Sequence, residues 1–282
     1  MARGAPLRSV AMGQPALPLP VVVVCLPAGK PQWCVQDALR GRAIVRVVKS
    51  LGELDAALRH ERAAITAVVV GSRDADGALA APVVREITAA LPGLPIVAYC
   101  RAGIEHSPDI RSLAAAGVHD FLFEGVDDSG VALRAVLASA GRTCAAETVL
   151  AALKPHLPAR LHRFAEYALS YPEQALTVSV VANMLGVHRK TLFNYCIEER
   201  LPPPSELLVW YRLLLAAHLL ASTARTIESV ALEMEFPSDT SLRNMMKRHT
   251  GLRAGEVRER GGLACVLEMF GERLTRGATG AE

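Results

Sequence analysis

At 282 residues and a formal net charge of +3, the chain is long for one domain and comfortable for two. Hydrophobic residues make up 51% of it and aromatics only 5%, with alanine supplying much of the apolar share, and no apolar run approaches the ~20 residues a membrane span needs. Residues 1–153 carry 15 basic and 14 acidic side chains and residues 154–260 carry 14 and 11, so charge alone does not point to a polyanion partner.

The chain opens on Arg3 and Arg8, followed by an apolar stretch that runs into Val21–Cys25, the outline of a secretory signal. Pro18 and Pro20 interrupt the helix a signal needs, and the valine run favours a strand. Residues 1–18 therefore read as a disordered leader, and the protein as cytoplasmic. Cys25, Cys34, Cys100, Cys144, Cys196 and Cys265 form no C-x-x-C pair and have no histidine at zinc spacing. Free, mostly buried thiols are expected, and no metal site.

From Pro20 to about residue 142 the pattern alternates. Short apolar, β-branched runs at Val21–Cys25, Ala43–Val48, Ile65–Val70, Ile96–Cys100 and Asp120–Phe123 read as strands. Trp33–Arg40, Leu51–Glu61, Pro82–Leu91, Pro108–Ala116 and Ser129–Ala140 have helical periodicity. Strands so short and apolar need cover on both faces, as in a parallel sheet. Five β-α units in succession describe an open doubly wound sheet with right-handed crossovers and an expected strand order of 2-1-3-4-5.

This rhythm resembles a response-regulator receiver domain, of flavodoxin-like fold. The resemblance implies an acidic pair after the first strand for magnesium, a phosphate-accepting aspartate closing the third, and a lysine closing the fifth. Cys25-Leu26-Pro27, Val70-Gly71-Ser72-Arg73 and Phe123-Glu124 stand at those places instead. Asp74 and Asp76 come too late, in a loop turned by Gly77. Magnesium-dependent phosphoryl transfer needs those groups converging on one sheet edge. Residues 19–142 therefore read as a degenerate pseudo-receiver.

The loop Pro27–Trp33 follows the first strand as phosphate loops do, but it has one glycine and one lysine, and Pro31 removes an amide. Cys25 and Cys100 close strands separated by the third, which suits buried structural thiols. His106 and His119 stand alone. No catalytic residue and no cofactor-binding or metal-ligating set is identified.

Residues 143–158 read as a linker helix, Thr143–Lys154, stopped by Pro155 and Pro158. A helix over Arg160–Ser170 opens the second domain, residues 159–260. In Leu176–Cys196, Val181, Leu185, Val187, Leu192 and Tyr195 share one small core if Gly186 breaks two helices. Small Ala182 lets them cross closely, and Gly186 suits a left-handed turn. This is a helix-turn-helix pattern, with a second helix at about Arg189 to Glu198. The pattern repeats at Ile227–Phe236, with Ala231 in the place of Ala182, and at Asp239–His249. Between the copies, Pro204–Ala221 reads as one long apolar helix after a proline start.

Two such units about 50 residues apart, joined by one helix, resemble the DNA-binding domain of the AraC/XylS family of transcription regulators. The resemblance covers roughly 161–258. It implies double-stranded DNA as the partner, with RNA polymerase a further candidate, and Lys190, Phe193 and Asn194 at base edges. His188 and Arg189 also point outward on the first helix, and Asp239, Thr240, Arg243 and Asn244 on the second, with Lys247 and Arg248 nearer the backbone. Asn suits adenine, Arg suits guanine, and Phe suits a thymine methyl. Three positions depart from the family. Asn194 and Asn244 stand where arginine is common, Glu235 replaces the second turn glycine, and Cys196 and Met246 replace the aromatics that lock each reading helix.

Residues 261–282 read as a Gly261-Gly262 break, a final helix over Leu263–Leu274 and a tail. The fold class is thus α/β plus all-α, and the leading function is sequence-specific transcription regulation, with no enzymatic role. A receiver-like domain would serve assembly or sensing, most simply as a homodimer through the N-terminal domain. A protein-interaction scaffold whose helical domain no longer binds DNA is the alternative, and an enzyme with a flavodoxin-like core is a third reading.

Overall fold

Five apolar runs form parallel strands because helices cover both of their faces. They are β1 (Val21–Cys25), β2 (Ile44–Val48), β3 (Ile65–Val70), β4 (Ile96–Cys100) and β5 (Asp120–Phe123), in the order β2-β1-β3-β4-β5. The structure is a computed structural model that describes residues 19–61, 64–171, 176–221 and 225–279. The expected leader lies outside the described residues. Side chains alternate across the sheet. Val23, Val68, Val70 and Ala98 pack with Leu54, Val84 and Leu113 of α2 (Leu51–Glu61), α3 (Ala80–Ala90) and α4 (Ser107–Ala115). On the other face, Val24, Val69, Val97 and Leu122 pack with Val35 of α1 (Lys30–Ala38) and with Leu133 and Ala140 of α5 (Gly130–Leu153).

Two helices differ from the expectation. α1 begins at Lys30, three residues before Trp33, because Pro31 fits the first helical turn where no amide is needed. The phosphate-loop-like segment is correspondingly short. Ser129–Ala140 and Thr143–Lys154 are one unbroken helix, α5, capped by the Ser129 hydroxyl, which accepts from the Ala132 amide. Position 142/143 therefore lies mid-helix, and no separate linker helix exists. Gly141 does not break α5, since buried Ala140, Cys144 and Ala145 hold its neighbours on both sides.

At the carboxyl edge of the sheet the charges are paired with one another. Lys30 Nζ lies 2.6 Å from Asp128. Arg73 donates to both carboxylate oxygens of Asp109 at 3.0 and 3.4 Å, and Arg101 donates to Glu124 at 2.7 Å. Lys30 and the Tyr99 hydroxyl together hold the Asp128 carboxyl down at about 2. Cys25 and Cys100 are buried, and burial pushes each thiol up to about 11. Asp74 faces no open site. It accepts the amides of Leu51, Asp76 and Ala78 at 2.9–3.1 Å, which ties the Gly77 turn to the start of α2. Burial pushes its carboxyl up, but these amides more than offset that and hold it below the usual range.

The second domain is helical: α6 (Ala159–Ser170), α7 (Val178–Met184), α8 (Arg189–Glu198), α9 (Pro204–Ala221), α10 (Ile227–Glu233), α11 (Asp239–Thr250), α12 (Ala254–Glu259) and α13 (Leu263–Thr279). α9 lies at its centre, with Leu207, Trp210, Tyr211, Leu214, Ala217 and Leu220 all buried. α13 is longer than expected and closes the core with Val266 and Phe270, whose ring sits 5.6 Å from Trp210 and 6.3 Å from Tyr211.

α13 can reach α9 only because Gly262 carries no side chain. A Cβ there would meet Ala221 Cβ at 2.3 Å and the Ala217 carbonyl at 2.7 Å, and the backbone is left-handed at φ +59°. Gly262→Ala is expected to destabilise the protein by about 1–3 kcal/mol, as overpacking and left-handed strain combine. Thermal unfolding measures this, and an unchanged melting temperature would contradict the close packing.

Candidate nucleic-acid interface

Each helix-turn-helix is built from the same local chemistry. Thr177 and Thr226 cap the supporting helices α7 and α10, accepting from the amides of Val180 and Ser229. The chain then turns through a left-handed residue, Gly186 at φ 68° and Glu235 at φ 49°. Next, the amides of Val187 and Phe236 donate to the carbonyls of Ala182 and Ala231 at 3.0 and 2.8 Å. Ala182 and Ala231 are both buried, as close helix crossing demands.

The second helix of each pair is α8 or α11. In α8, Leu192 and Cys196 face inward, and Tyr195 is only half-buried beneath the Arg160 guanidinium, 4.9 Å from its ring. Arg160 also pairs with Glu198 at 2.6 Å and with Glu199, so α6 clamps the far end of α8. In α11, Leu242 and Met246 are buried, and the Ser238 hydroxyl accepts from the Ser241 amide as the cap.

The predicted contact residues fall into four groups. Lys190 and Asn194 of α8, and Thr240, Arg243, Asn244, Lys247 and Arg248 of α11, are exposed on outward faces. His188 is not on α8 but caps it, its Nδ1 accepting the Lys190 amide at 3.2 Å; Nε2 is then the protonated nitrogen, free to donate. Phe193 is half-buried and packs on the core, with Arg189 stacked over its ring at 5.4 Å. Asp239 is half-buried and paired with Arg243 at 3.1 Å, so its charge is compensated within α11.

Two residues missed in the sequence belong to the same surface. Ser179 and Asn183, one turn apart on α7, line an open concavity of about 910 Å³ with Gly186, His188, Lys190 and Phe193. Their spacing is a signal that could have found them.

Central helix α9 grips the second turn directly. Arg212 donates to the Met234 carbonyl at 2.5 Å and lies 4.0 Å over the Phe236 ring. At the other end, Arg258 of α12 donates to the carbonyls of Leu220 and Arg225 at 2.9 and 2.5 Å, closing the α9–α10 corner.

This arrangement defines a helical domain in which α9 lies between two helix pairs of like local geometry, α7–α8 and α10–α11. Residues 181–260, under a third of the chain, match the sequence family described as a helix-turn-helix domain. No curated protein matches the chain. The N-terminal domain is similar to solved receivers. With the receiver domain of NtrX from Brucella abortus the identity is 20%, covering 44% of this chain and 98% of that one, at a TM-score of 0.38. With a response regulator from Thermotoga maritima it is 21%, covering 42% and 94%, at 0.34. With a response regulator receiver domain protein from Clostridium thermocellum it is 15%, covering 42% and 94%, at 0.36. The strand order by itself carries the flavodoxin-like assignment.

Glu235 tests the energetics of the second turn. A non-glycine residue held left-handed costs on the order of 1 kcal/mol, and its carboxylate lies only in the general field of Arg212. Glu235→Gly is expected to raise the unfolding free energy by about 1 kcal/mol. Chemical denaturation checks it, and a loss of stability would mean the Glu235 side chain does more than occupy the turn.

Proposed function

We propose that the protein is a sequence-specific, DNA-binding transcription regulator without enzymatic activity, acting in the cytoplasm. The observation that carries this is the pairing of two like-built helix-turn-helix units on α9, inside a region that matches a helix-turn-helix family. The DNA-contacting set comprises His188, Arg189, Lys190 and Asn194, with Phe193 backing Arg189, and Thr240, Arg243, Asn244, Lys247 and Arg248, with Asp239 orienting Arg243. RNA polymerase is a further partner in this reading.

The first unit carries more of the specific affinity. Lys190 has no acidic partner among the described residues, whereas Arg243 is engaged by Asp239 and the second turn is strained at Glu235. A lost base contact costs ~1–3 kcal/mol. Selection from random duplexes with the full chain should enrich one sequence. On that site Asn194→Ala should weaken binding at least about fivefold, and more than Asn244→Ala does, both at one salt concentration. Equal losses, or a larger one at Asn244, would reverse the assignment. Enrichment of no sequence would favour the scaffold alternative.

The receiver-like domain, in this reading, works without phosphorylation. Gly71 follows Val70 where an acceptor would stand, and an added Cβ would meet the Arg73 carbonyl at 2.8 Å. Asp74 is committed to amides and Asp109 to Arg73. Acetyl phosphate with magnesium should leave the intact mass unchanged, and a stoichiometric gain of one phosphoryl group would overturn this.

The same domain serves for self-association through its last strand and helices. Ile104, Val126 and Val131 are strongly exposed there, which supports an apolar contact. Sedimentation of the full chain at micromolar concentration should give a dimer that Val131→Asp dissociates. A monomer, both free and on DNA, would exclude it.

A further inference from the structure

The junction of the two domains encloses a cavity of about 620 Å³, inside the range of about 300–1,000 Å³ common for small-molecule sites. Its floor is the amino edge of the sheet, at Pro20, Ile65–Ala67 and Gly93–Pro95, opposite the edge where receiver chemistry resides. One wall is α5, through Leu137, Gly141 and Ala145, and the other is the end of α9, through His218 and Leu219, with Arg225 beyond. Gly141 leaves room, since a Cβ placed there would have nothing within 4 Å.

The lining is apolar apart from a few polar groups, and the charged ones share one sign. Arg42 and Arg225 contribute guanidinium groups, and no acidic side chain lines the space among the described residues. Arg42 is exposed and has no ion-pair partner among the described residues. Arg225 pairs with Glu233 at the far end of α10. Burial, and after it the Arg225 charge, keeps the His218 pKa below its ordinary value, so the imidazole is a neutral hydrogen-bonding group. Thr66 is already committed, its hydroxyl donating to the Val21 carbonyl.

We propose that this cavity binds a small amphipathic anion, a carboxylate or sulfonate on an apolar body, with the anionic head between Arg42 and Arg225 and the body against Leu94, Leu137 and Leu219. An apolar wall recognises the body, and two guanidinium groups recognise the head by charge-assisted hydrogen bonds. Arg225 immediately precedes Thr226, the cap of α10. An anion drawn to Arg225 competes with Glu233, so occupancy would reach the second helix-turn-helix from the domain junction. The binding claim stands apart from the DNA reading, because every readout below is taken without DNA.

Calorimetry on the full chain would use octanoate and anilinonaphthalene sulfonate as probes, and 1-octanol as the uncharged control. At least one anion should bind one-to-one with a Kd below about 1 mM, and octanol at least about tenfold more weakly. Arg42→Gln, at an exposed position, should weaken the anion roughly tenfold. Gly141→Leu replaces a glycine inside a helix, so it should fold at least as stably, and it should abolish binding by filling the space. Failure of both anions to bind, equal binding of octanol, or anion binding unaffected by Gly141→Leu would each overturn the site.

Discussion

Burial of α9 along most of its length is the constraint on which the helical half depends. A helix that is apolar all round can exist in water only if other elements surround it. Here α5, α6, α12 and α13 supply that cover together with both helix-turn-helix units. Neither unit is large enough to own a core, so each borrows its core from α9. The cost is visible in the aromatic cluster. Trp210 Nε1 and the Tyr211 hydroxyl are buried without hydrogen-bond partners among the described residues. Each such group costs about 1–3 kcal/mol. Edge and tilted contacts among Phe164, Trp210, Tyr211, His249 and Phe270 offset part of this, and they bring α6, α11 and α13 onto one helix.

α5 extends the same logic to the whole molecule. Residues 130–156 form a helical run long and apolar enough, by length and composition alone, to cross a membrane, with a mean hydropathy of 1.2. Its buried side chains are instead divided between two cores. Leu133 and Ala140 pack against the sheet, and Ala145, Ala146, Val149 and Leu153 pack into the helical domain. One helix shared by two cores makes a stiff junction, unlike a linker of free residues.

Strands were legible because burial on both faces leaves a short, wholly apolar signature that few other environments produce. β1, β3, β4 and β5 coincide with the residues expected, and the strand order with that of a doubly wound sheet. The helix pairs α7–α8 and α10–α11 were legible for a different reason, the four-residue spacing of Ala182 and Gly186 repeated at Ala231 and Glu235, each followed by a helix with one inward apolar face. The helices expected at Ser129–Ala140 and Thr143–Lys154 were separated at Gly141. Its local propensity favours a break, but tertiary burial of Ala140, Cys144 and Ala145 overrides it. Side-chain detail at the interface was less legible than the backbone. That His188 would cap α8 and that Phe193 would carry Arg189 depend on distances that spacing alone does not fix. Ser179 and Asn183 belong to the first helix of their unit, and only the fold brings them beside His188 and Lys190.

In the proposed function, α9 presents α8 and α11 as one body to one face of DNA. Hydroxyl-radical footprinting of the full chain on a selected duplex tests it most directly. Two protected segments on the same face, centred roughly one helical turn (~34 Å) apart per protein copy, are predicted. A single protected segment, or protection on opposite faces of the duplex, would contradict it.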